Sequence, residues 1–281
     1  ELNDKRTYAF NRCISYMCSN ETYGKPKYGT VEEIQAVKMA DVYAAWKNML
    51  STAVFQITVV GGVGIDKIAD IFAKRFEKIE RNPIKPETVF IQRGGHFNRY
   101  EEQYPVNQGK LVIGFRAGMK DSRDNLSAIT VMNDIFGMGT YSKLFMNVSE
   151  KLSLAYYCWS RLIASKGIVL VEGGIDTDKE KKVSAEILSQ LSDLRNGKTD
   201  PEVLESSKRS LKERYTFTTP EGICSWYAAQ VLEEEIVTPE IMISGVEKVT
   251  MEQVCEAAKK LSIDTIFMLS AISGEGEANG D

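Results

Sequence analysis

Apolar residues along this chain recur at helical spacing in most segments and alternate in only a few short runs. Tyr8, Phe10, Ile14 and Met17 predict a helix over 6–17. A turn-rich stretch around Gly24, Pro26 and Gly29 follows, after which Thr30 and Glu33 stand at the spacing of a capping box and open a helical run towards Leu50. Residues 54–60 are β-rich and end at Gly61-Gly62, and Ile68, Ile71, Phe72, Phe76 and Ile79 line one face of an amphipathic helix over 66–79.

The pattern dissolves between 81 and 96, where RNPIKPETVFIQRGG carries two prolines and no sustained period; a linker is expected there. Beyond it come strands over 99–103 and 110–116 and a helix over 123–136 with Leu126, Ile129, Met132 and Ile135 on one face. Helices over 179–194, 201–215, 220–236 and 250–261 lead to a last strand over 265–272. The polar tail 274–281 is expected to be disordered.

The stretch Gly139 to Ser160, GTYSKLFMNVSEKLSLAYYCWS, is the most informative. Leu144, Phe145, Val148 and Leu152 give helical spacing, and the alternation from Tyr156 onward gives a strand that pairs as a hairpin with 167–175. Ser149 near the end of this helix and Tyr156 near the start of the strand are expected to face one groove.

A repeat is visible without reference to any other protein. At an offset of 212 positions (249 − 37), Val37, Met39, Val42, Ala45, Phe55 and Gly62 match Val249, Met251, Val254, Ala257, Phe267 and Gly274. Met49 with Leu261 and Ile57 with Leu269 are conservative matches. If the unit is duplicated, the strands and hairpin of the first copy belong to residues that would precede Glu1.

The balance of 35 basic against 39 acidic residues, with no basic block, gives no reason to expect nucleic acid or a membrane surface as partner. With no long apolar run or secretion signal, a cytoplasmic setting is expected. The five cysteines, Cys13, Cys18, Cys158, Cys224 and Cys255, form no C-x-x-C pair, so buried or passive thiols are expected rather than a disulfide framework.

Ser142-Lys143-Leu144-Phe145, then Glu150-Lys151, then Leu154-Ala155-Tyr156 resemble the second-module pattern of the insulinase (pitrilysin, mitochondrial-processing-peptidase-like) zinc peptidases. Gln108-Gly109-Lys110-Leu111 and Leu154-Ala155-Tyr156-Tyr157 are most similar to the short bacterial branch. The resemblance implies an α+β fold, a mixed sheet with helices packed on one face. It also implies a closing part of a first module over 1–80, a linker over 81–96 and a complete second module over 97–273. In that family an Arg and a Tyr seven residues later help hold the substrate peptide. Here the pair falls on Ser149 and Tyr156, so these are the candidate substrate-binding residues and the guanidinium is lost.

The family's zinc motif, His-x-x-Glu-His, is missing, and His96 is the single histidine. No catalytic residue, metal ligand or cofactor is therefore expected in these residues, while zinc is implied for an upstream half. His96 is expected to be a solvated linker residue, and with no Gly-x-Ser-x-Gly elbow a Ser-His-Asp hydrolase is not suggested. Gly61-Gly62-Val63-Gly64 lacks the rest of a phosphate-binding loop, so a tight turn with positive φ is expected. Glu233-Glu234-Glu235 reads as a solvated helix face. The expected function is the non-catalytic half of an insulinase-type zinc metallopeptidase, one wall of a chamber for a peptide or small protein, within a homo- or heterodimer with a homologue. The alternative is an inactive pseudo-peptidase that docks onto an active homologue.

Overall fold

The computed structural model describes residues 4–233 and 235–272. Its helices are α1 Lys5–Met17, α2 Val31–Ala36, α3 Met39–Thr52, α4 Ile65–Phe76, α5 Leu126–Asn133, α6 Glu180–Arg195, α7 Pro201–Tyr215, α8 Pro220–Ala228, α9 Pro239–Glu247 and α10 Met251–Lys260. Its strands are β1 Asn98–Tyr104, β2 Gly109–Arg116, β3 Tyr157–Ile163, β4 Ile168–Ile175 and β5 Ser262–Ala271. The described residues divide into two compact units. One holds the chain up to Pro26, Thr88–Lys212 and the part from Ser244 onward; the other holds Lys27–Glu87 and Glu213–Ile243. The first helix thus groups with the sheet rather than with the rest of 1–80.

In the larger unit the strands form one mixed sheet in the order β1-β5-β2-β4-β3. β1 runs parallel to β5, and the other neighbours are antiparallel. Every residue of β4 is buried and nearly every residue of β2, so both faces of the sheet centre need cover. One face carries α5, α6 and α10, with α10 packed against the other two. On the other face Ala9, Cys13 and Met17 of α1 pack against Val112, Leu170, Phe267 and Leu269. The expected α+β architecture is present, and α1 is added on the face opposite the main helical layer.

A buried ionic lock fixes the end of α1. Arg116 at the end of β2 donates to Asp264 (3.0 Å), Glu21 (3.1 Å) and the carbonyl of Met17 (2.6 Å), and Lys166 also donates to Glu21. Each guanidinium edge has an acceptor, which is what makes a buried arginine tolerable.

Several elements depart from the sequence pattern. The helical run after Thr30 has its capping box but breaks at Val37 and Lys38, both extended, so α2 and α3 are separate. Residues 54–60 form no ladder, because among the described residues no neighbouring strand pairs with them. The helix expected over 123–136 starts at Leu126 after a left-handed Asn125 (φ 53°) and widens into a π-turn over Asp134–Met138. The one expected over 220–236 stops at Ala228, so Glu233 and Glu235 lie beyond it. α9 has no counterpart in the sequence reading, although Thr238 receives the Ile241 N–H at 3.3 Å as a cap before Pro239.

Gly61, Gly62 and Gly64 have no positive φ and face open space, so the tight turn expected there is not formed. The first part of the expected linker is tied down: Arg81 donates to the carbonyls of Leu50 (2.8 Å) and Ala53 (2.7 Å) and lies over the Phe55 ring. Gly274 and the tail 274–281 lie outside the described residues, as does Glu234.

Candidate peptide-binding site

The start of β3 and the end of β4 bring the expected site residues close in the chain but give them different surroundings. Tyr156 precedes β3 and extends its ladder, donating its N–H to the Gly174 carbonyl at 2.8 Å. That leaves the side chain 69% exposed. Its hydroxyl donates to Asp176 Oδ1 at 3.0 Å, and Lys179 Nζ donates to Asp176 Oδ2 at 2.6 Å. The hydrogen bond and charge of Asp176 raise the tyrosine pKa, and Lys179 and Tyr156 in turn lower that of Asp176.

Ser149 lies in the wide π-helical segment Leu144–Lys151. Its hydroxyl is enclosed and makes no hydrogen bond. The helix does not pass straight into the strand either: Leu152 closes it and Ser153 takes φ 47° before β3 begins. Tyr156 therefore finds its partner in Asp176, not in Ser149. Sequence reasoning missed Asp176 and Lys179, which the hairpin places beside Tyr156. Their signal was the hairpin register, and that depends on the turn Ala164–Lys166 with Gly167 at φ 66°.

The neighbouring face of β3 and β4 carries a second cluster. Glu172 is buried in the middle of β4, and Arg6 of α1 reaches it with Nε at 3.3 Å. The Arg6 guanidinium lies 4.3 Å from the Trp159 ring centroid and 4.7 Å from that of Tyr157. Arg161 covers the same Trp159 ring at 5.1 Å and Phe10 at 4.9 Å. Burial raises the Glu172 pKa, only partly offset by Arg161 and Arg6. Tyr157 is pushed up to about 12, chiefly by burial. Tyr157 and Trp159 line this cation-aromatic surface.

A third cluster, nearer β1, centres on Glu102. It accepts from Tyr8 (2.7 Å), Arg12 Nε (2.8 Å) and Tyr16 (2.9 Å), while Tyr16 stacks on Tyr100 with centroids 3.9 Å apart. Against the desolvation that opposes its charge, these donors hold the Glu102 carboxyl below its ordinary range. Tyr8 is pushed up to about 12, first by burial and then by its bond to Glu102. Such a fully occupied carboxylate is an anchor for α1.

His96 is exposed, and its carbonyl accepts from the Asn98 side chain at 3.3 Å. Cys13, Cys18 and Cys158 are buried free thiols, and Cys224 and Cys255 are half-buried free thiols. Among the described residues no three His, Cys, Asp or Glu side chains converge as a metal site, and no helix is long and apolar enough to cross a membrane.

A family model described as the peptidase M16 inactive domain matches residues 36–211. The chain belongs to that family. The peptidase M16 inactive domain here is 27% identical to the probable inactive metalloprotease YmfF of Bacillus subtilis (strain 168), over 97% of this chain and 64% of the relative. Among solved structures, a conserved protein from Enterococcus faecalis V583 superposes with a TM-score of 0.87 at 27% identity, covering all of this chain and 66% of that one. The peptidase M16 inactive domain from Pseudomonas fluorescens shares the fold, with a TM-score of 0.78 at 16% identity over 97% of this chain and 67% of that one. The chain thus spans slightly less than two thirds of the length of YmfF. The insulinase-type resemblance and the α+β fold are both shown by these matches, and the chain is a non-catalytic M16-type domain.

Proposed function

We propose that this domain is one wall of a peptide-binding chamber in a longer insulinase-type zinc metallopeptidase. The observation that carries the reading is the exposed Tyr156 hydroxyl at the open end of the edge strand β3. An edge strand offers backbone groups to an extended peptide, and a phenol beside it supplies one directed hydrogen bond. The phenol proton is given to Asp176, but Lys179 also holds that carboxylate, so Tyr156 is free to switch its proton to a substrate carbonyl while Asp176 keeps a partner. With Ser149 at the position of the family's arginine, the grip rests on that hydroxyl and lacks a bidentate cation.

The smaller unit supports a longer parent. No residue from 27 to 87 is buried. Val42, Met49, Phe55 and Ile57 are 40–50% exposed, whereas their repeat partners Val254, Leu261, Phe267 and Leu269 are at most 2% exposed. In the second copy Val254 lies on α10, which packs against α5 and α6, and Phe267 and Leu269 of β5 pack against α1, so the first copy calls for an equivalent cover from a first-module segment, which in this reading also carries the zinc.

A second reading is favoured by one comparison: YmfF is named a probable inactive metalloprotease. In that reading the parent has no zinc and docks onto an active homologue. Zinc content and peptide hydrolysis of the full-length protein separate the two. Bound zinc with hydrolysis is the expected result, and a zinc-free, inactive protein would transfer the role to docking.

A further inference from the structure

We infer that the outer, helical side of the sheet unit carries a separate site for an alkylammonium group. Between the β2–α5 loop and α10 lies a cavity of about 210 Å³. Its floor is apolar, made by Ala117, Met119, Ala128, Ile129 and Ala257. Engineered apolar cavities of about 150 Å³ already take up a benzene-sized molecule, so this volume holds a chain of about six carbons.

The mouth has a sign. Asp124, Glu252 and Glu256 meet a single ammonium, Lys260, around the opening. Asp124 is engaged by the Lys120 N–H and the Asn125 side chain, and Glu256 holds Lys259 at 2.6 Å. Glu252, exposed in the first turn of α10, makes no direct hydrogen bond or ion pair among the described residues and interacts only through its charge, with Lys259, which Glu256 already holds. It is the carboxylate left to meet a ligand. Gly118 fixes the opposite lip: at φ 69° it lets the loop approach α10 so closely that a Cβ there would lie 2.8 Å from Lys260 Cβ.

An apolar floor beneath an acidic rim selects a ligand with a short hydrocarbon stem and a positive head. Two sources share that chemistry, a free alkylamine or polyamine and the side chain of a lysine in another protein. The site stands apart from Tyr156, and the inference does not depend on the peptide-binding reading.

The test is a titration of the 281-residue chain with hexylamine, followed by backbone amide shifts, with hexanoate and hexanol as controls. Hexylamine is expected to give saturable shifts confined to the β2–α5 loop, α5 and α10, and hexanoate none. Ala128→Leu, which fills the floor, is expected to abolish them. Glu252→Lys, at an exposed position that leaves folding intact, is expected to weaken hexylamine about three- to tenfold and to favour hexanoate. Spermidine and Nα-acetyl-lysine methylamide then distinguish the sources, the tighter binder naming the class. Equal binding of hexylamine and hexanoate, no saturable shift, or unchanged hexylamine affinity in Glu252→Lys would overturn the site.

Discussion

Arg116 ties the end of α1 to the sheet, because Asp264, Glu21 and the Met17 carbonyl all accept from it. Arg116→Ala should cost about 3–5 kcal/mol in urea unfolding, since two largely buried carboxylates lose a partner while Lys166 compensates only one. A loss below about 1 kcal/mol would show that the network is solvated. Glu172 predicts a pH effect of definite sign. Its folded pKa lies above its ordinary value of 4.5, so through that window the folded state holds more protons and stability falls as pH rises. Glu21 and Glu102 are lowered and act oppositely, contributing stability that is lost as pH falls through their folded values. Glu172→Gln should flatten the stability profile above pH 4.5 and leave the acid limb in place, read from denaturation midpoints across pH. At this scale the pairing of Glu172 with Arg6 was not legible, because nothing in local sequence pairs residues 166 positions apart.

Among elements, those with strong period and a clear stop match the sequence: α1, α4, α6, α7 and α10, and strands β2, β4 and β5. The misses share a physical cause. Residues 54–60 have strand composition, but a ladder needs a neighbour and none of the described residues supplies one. The wide turn Asp134–Met138 passes so near β3 that a Cβ on Gly137 would stand 2.6 Å from the Ser160 backbone nitrogen. That contact is tertiary and leaves no periodic trace. Gly137→Ala should therefore destabilise by about 1–3 kcal/mol, because backbone rather than a flexible side-chain tip has to move. An unchanged melting temperature in a thermal scan would mean that the π-turn relaxes freely. In the same way the candidate site was half legible: Tyr156 stood out by its motif, whereas Asp176 and Lys179 required the hairpin register.

For the whole molecule, the repeat offers the strongest expectation. Positions buried in the second copy are bare in the first, so a longer form that restores the first-module strands should cover Trp46, Met49 and Phe55. Dye binding by exposed apolar surface should be strong in this chain and fall in the longer form, with the Trp46 emission moving to shorter wavelength; equal dye binding in both would remove the argument from the repeat. The central claim, that this M16 inactive domain holds peptide at the end of β3, is tested most directly by the peptide affinity of the full-length protein and its Tyr156→Phe variant. Losing one directed hydrogen bond predicts a dissociation constant about five- to tenfold higher with the fold unchanged. An unchanged dissociation constant would contradict the account.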